Sequence, residues 1–63
     1  MTARAELSSV STGLEELLKR VTEIADGLVP GDKDLLGPDL YDVERSLKGA
    51  VRRLRRIVDS AGT

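Results

Sequence analysis

The side chains best equipped for chemistry are concentrated in one stretch, KGAVRRLRRIVDS, residues 48–60. At helical spacing Arg45, Lys48, Arg52, Arg55 and Arg56 fall on one side of a helix, and seven of the ten cations in the chain are arginine. A guanidinium presents a planar fork that matches phosphate oxygens, so such a row is a candidate RNA or DNA contact. The plainer reading is a solvated outer face whose positive charge suits the C-terminal end of the helix dipole. Three features favour the plainer reading: the net charge is −1, Tyr41 is the sole aromatic residue, and neither helix-turn-helix nor zinc-finger spacing occurs. Nucleic-acid binding is therefore the alternative function.

The remaining constellations exclude more than they suggest. The chain has no Cys and no His, which removes disulfides, thiolate or imidazole metal sites and His-based proton transfer. Asp32 and Asp34 in GDKDLLG resemble the start of a calcium loop, but Leu36 and Val43 stand where oxygen ligands belong, so a polar turn is expected. Glu15, Glu16 and Glu23 lack the Glu-x-x-His partner motif of a carboxylate metal bundle and fall on an outward face. Tyr41 is expected at the rim, packing on the loop, and Ser46, Ser60 and Gly49 are tolerated small residues rather than catalytic ones. No catalytic residue, cofactor, metal or small-molecule substrate is expected.

The elements that carry these residues are legible in the apolar spacing. Leu7, Val10, Leu14, Leu17, Val21, Ile24 and Leu28 follow one another at intervals of three and four. Leu40, Val43, Leu47, Ala50, Leu54, Ile57 and Ala61 repeat the pattern. Each run predicts an amphipathic helix with the a/d seam of a coiled coil. Leu18, Ala25, Val51 and Val58 extend both stripes to heptad position e, a width that suits a bundle better than a two-stranded coil.

The punctuation places the ends. Gly27, Pro30, Gly31, Gly37 and Pro38 predict a break, with helix one over about 4–27, a loop over 28–37, and helix two over about 38–60 opening on Pro38. Asp39 and Asp42 then occupy a first helical turn, complementing its dipole. Thr12 with Glu15 forms an alternative capping box that would start helix one near Gly13. Leu35 and Leu36 are expected to fold back as a lid over the end of the bundle.

Two such helices in one 63-residue domain predict an all-α antiparallel hairpin. Antiparallel packing sets the basic end of helix two beside Glu6, Glu15 and Glu16, and its acidic start beside Lys19 and Arg20. One helix–helix contact cannot hide stripes this broad; position e, at Leu18 and Val51, is expected to stay half wet in a lone hairpin. A homodimer forming a four-helix bundle is the expected remedy, although a different protein partner would serve. The predicted interface comprises Leu14, Leu17, Leu18, Val21, Ile24 and Leu28 with Leu40, Val43, Leu47, Val51, Leu54, Ile57 and Val58. The function expected is that of a non-catalytic protein–protein interaction module, an adaptor, regulator or assembly subunit. No apolar run approaches the roughly 18 residues that span a bilayer, and MTARAELSSV lacks a signal-peptide core, so the expected location is cytoplasmic, away from membranes.

Overall fold

The computed structural model describes residues 2–61, which form two helices packed against each other, α1 (Ala3–Asp26) and α2 (Pro30–Ala61). No strand is present among the described residues. Thr2 caps α1: its Oγ1 accepts a hydrogen bond from the Ala5 N–H at 3.1 Å, satisfying one of the donors a helix start leaves open. The weak helix formers Ser8 to Gly13 therefore lie inside α1, and Thr12 does not cap it. Its Oγ1 instead donates to the Ser8 carbonyl one turn back.

The expected loop over 28–37 is corrected. α2 starts at Pro30, so the connection shrinks to Gly27, Leu28 and Val29. Pro30 sits at the first helical position, where its missing N–H is no loss, and the Lys33 N–H closes the first turn on the Val29 carbonyl at 2.8 Å. Asp32, rather than Asp39 or Asp42, is the acidic residue of the first turn. Pro38 lies within α2. Its ring clashes with the Cβ of a preceding helical residue, but that residue is Gly37, which has none. The hydrogen bond that Pro38 cannot make would have gone to the carbonyl of Asp34, an exposed residue.

α2 exceeds α1 by eight residues, about 12 Å of helix. The open ends are aligned, because Arg4 Nε donates to the Val58 carbonyl at 3.2 Å. The excess therefore falls at the connection end, where every residue from Val29 to Leu36 is exposed. The expected lid is corrected with it: Leu35 is 76% exposed and Leu36 is also open, both held away from the seam by the helix they belong to.

The seam itself runs along a different row from the one expected. In α1 the residues turned inward are Leu7, Ser11, Leu14, Leu18, Val21 and Ala25, continued by Leu28 in the connection; in α2 they are Leu40, Glu44, Leu47, Val51, Leu54 and Val58. These are positions a and e. The expected wet residues, Leu18 and Val51, are the packed ones, and Val51 is the one buried apolar residue among those described, at 9% exposure. Position e carries the smaller side chains of α1, Ser11 and Ala25, which let the two axes approach. Ser11 is the most enclosed residue at 5%, and no buried side-chain polar atom among the described residues lacks a hydrogen-bond partner.

Candidate functional site

The a/e seam leaves the d row of both helices outside. Val10, Leu17 and Ile24 on α1, with Val43 and Ile57 on α2, are 44% to 58% exposed, and Ala50 between the last two is half-buried. At 100° per residue, position d lies roughly 80° to one side of an a/e seam. Seen from one end, two antiparallel helices wind in opposite senses, so rows displaced the same way along each chain emerge on the same side of the hairpin. The two d rows accordingly form one broad apolar face.

Position b is displaced to the opposite side and makes the other broad face. Ser8, Glu15 and Thr22 of α1 and Tyr41, Lys48 and Arg55 of α2 occupy it. Glu15 and Arg55 join the helices there through an ion pair between Arg55 Nη2 and Glu15 Oε1. Arg55 is well solvated and Glu15 half-buried, so water still screens the pair and limits it to about 0–1 kcal/mol. Tyr41 is exposed and does not pack on a loop.

The apolar face is framed by small residues. Gly13 on α1 and Gly27 just past its end, with Ser46 and Ser60 on α2, stand at position g beside the d row, alongside Arg20 and Arg53. A Cβ added at Gly13 would meet nothing within 4 Å, so no contact inside the chain calls for a glycine there. A helical glycine is about 1 kcal/mol less favourable than alanine.

Of the predicted interface residues, the structure divides two groups. Leu14, Leu18, Val21, Leu28, Leu40, Leu47, Val51, Leu54 and Val58 are turned into the hairpin's own seam; Leu17, Ile24, Val43 and Ile57 are left on the open face. The candidate phosphate row is exposed on α2 at Arg45, Lys48, Arg52, Arg55 and Arg56, with Arg55 engaged by Glu15. The seam choice was not legible from spacing, because a/d and a/e rows both keep intervals of three and four, and the wholly apolar a/d rows read as the better seam than a/e rows that include Ser11 and Glu44. The signal that could have separated them is side-chain volume, since Ser11 and Ala25 suit close approach and Leu17 and Ile24 do not.

The open end holds a shallow cleft lined by Ser8, Ser11, Thr12, Arg55, Val58 and Asp59. Its hydroxyls have no imidazole to activate them, and the Thr12 hydroxyl and the Arg55 guanidinium are bonded within the hairpin. No cluster of His, Cys, Asp or Glu able to hold a metal ion occurs among the described residues. No helix among them is long and apolar enough to cross a membrane. The chain matches no protein-family model, no curated protein and no solved structure.

Proposed function

We propose that the chain is a non-catalytic protein–protein interaction module that associates with a second copy of itself through the d face, completing a four-helix bundle. The observation that carries this reading is the row of Val10, Leu17, Ile24, Val43 and Ile57, five large apolar side chains on one side of the hairpin with nothing over them.

Size supports it. The chain exposes 4944 Å². A compact monomer of 6.8 kDa exposes about 4,000 Å² by the usual scaling. The excess is close to the roughly 800 Å² that each partner buries in a stable interface. Shape agrees: the Cα radius of gyration is 14.6 Å. A globular chain of this length has about 10.6 Å. A flat hairpin of 48 × 16 × 11 Å becomes a compact particle when a second one covers its broad face. The regulatory or assembly role, and a cytoplasmic setting with no membrane or small-molecule partner, belong to the same proposal, resting on charges spread over every face but one.

Sedimentation equilibrium is the test. A folded species of twice the 6.8 kDa chain mass is expected at micromolar concentration; a folded, cooperatively melting monomer would overturn the proposal. The second reading, phosphate binding, rests on the exposure of Arg45, Arg52 and Arg56 along α2. Reversing these three to Glu leaves the hairpin folded in either case and abolishes RNA or DNA binding if that is the role; titration with labelled oligonucleotides at 150 mM salt, roughly physiological ionic strength, decides it.

A further inference from the structure

The geometry points to one arrangement of the two copies: the hairpins stack d face to d face and head to tail, the connection end of each lying over the open end of the other. This rests on the self-association proposed above and adds to it the relative direction of the partners. Two closed arrangements place the d faces together. In one the two-fold axis runs along the hairpin, so both connections lie at the same end and α1 covers the partner's α2. In the other the axis crosses the hairpin, so the connections lie at opposite ends and each helix covers its own counterpart.

Charge separates them. The connection end carries Asp32, Asp34, Asp39 and Asp42, and the open end carries Arg52, Arg53, Arg55 and Arg56. With Glu23, Asp26 and Glu44, the connection end has seven acidic side chains against five basic ones, Lys19, Arg20, Lys33, Arg45 and Lys48; with Arg4, the open end has five basic side chains against four acidic ones, Glu6, Glu15, Glu16 and Asp59. With both connections together, acidic ends meet acidic and basic meet basic; head to tail, each meets its opposite. The difference is largest at low ionic strength, since screening acts over about 8 Å at physiological salt.

The register of the hairpin supplies the point through which the axis passes. Ser8 and Thr12 share the open-end cleft with Arg55 and Asp59, and the same antiparallel register carried inward brings Leu17 level with Ala50 at the centre of the d rows. Head to tail, Leu17 therefore meets Leu17 of the second copy, Ala50 meets Ala50, and Val10 meets Ile24. In the other arrangement Leu17 meets Ala50.

The absence of native cysteine makes this a clean experiment. Leu17→Cys and Ala50→Cys are prepared separately and mixed, then oxidised at low salt. Head-to-tail stacking yields disulfide homodimers of each variant alone and little mixed product; a mixed disulfide dominating the reaction would overturn it, because bridging requires Cα atoms within about 7 Å. A spin label at Asp34→Cys, in the exposed overhang of α2, leaves the face untouched and gives a second reading. Head to tail places the two labels roughly 45–50 Å apart, from 1.5 Å per residue on either side of Ala50. A separation of half that or less overturns the arrangement. A dimer by sedimentation that shows neither pattern overturns it too, whereas a wild-type monomer overturns the underlying self-association instead.

Discussion

Leu17 and Leu18 are adjacent in α1 and face different partners: Leu18 is turned against α2, while Leu17 remains 51% exposed on the d face. One residue of helix rotation thus separates a side chain that holds the hairpin together from one available to a second molecule. Leu17→Glu is expected to leave the a/e contacts intact and place a charge at the centre of the proposed dimer face. Sedimentation should give a monomer, with Kd weakened by at least tenfold, which corresponds to about 1.4 kcal/mol. Leu18→Ala is expected to lower stability by about 1–3 kcal/mol, below the full-burial range because Leu18 is only half-buried. If Leu17→Glu sediments as the wild type does, the d face is not the interface.

The contrast between these two residues also marks what spacing could and could not specify. Intervals of three and four reveal two helices because only a 3.6-residue period brings Leu7, Leu14, Val21 and Leu28 onto one side. They leave open which flank of position a enters the seam, and apolarity alone favours the wrong one, since Val10, Leu17 and Ile24 on one side are more apolar than Ser11, Leu18 and Ala25 on the other. That choice depends on how closely two axes can approach, a pairwise property. Pro38 misled for a different reason: proline after a glycine is a common helix start, yet glycine is also the residue that tolerates proline behind it in a helix. The outer arginines were legible as exposed, while the pairing of Arg55 with Glu15 needed the register between helices.

Val51 is the most enclosed apolar residue described, and its loss tests the hairpin seam itself. Val51→Ala is expected to reduce the unfolding free energy by about 1–2 kcal/mol, from lost burial and imperfect collapse of the space. Val51→Asp places an unpaired carboxylate in that position and should abolish cooperative folding near neutral pH, with partial recovery below about pH 4 as the carboxyl is protonated. Urea melts followed by circular dichroism measure both. Equal melts for wild type and Val51→Ala would show that the a/e seam is not the one holding the helices together.

Thr2 supplies the side-chain cap at the start of α1, through the Ala5 N–H. Thr2→Ala should cost about 0.5–2 kcal/mol, and Thr2→Asp should retain the cap while adding a charge favourable to the helix dipole. Thr12→Ala is expected to have the opposite sign or none, because Thr12 lies inside the helix and alanine is the better helix former. If Thr12→Ala is instead the damaging change, α1 begins near Gly13 rather than Ala3.

Pro38 provides the sharpest test of the helix that replaces the expected loop. Within α2 it removes one hydrogen bond and crowds the turn before it, so Pro38→Ala should stabilise the chain by as much as about 3 kcal/mol, with the higher melting temperature that implies. Amide exchange supplies the independent readout: in Pro38→Ala the new N–H at position 38 should be protected through the Asp34 carbonyl, and the N–H groups of Leu35 and Leu36 should slow with it. Were α2 to begin at Pro38, alanine there would replace a residue suited to a first helical position. Stability would then stay level or fall, and positions 34–38 would exchange as an open loop does.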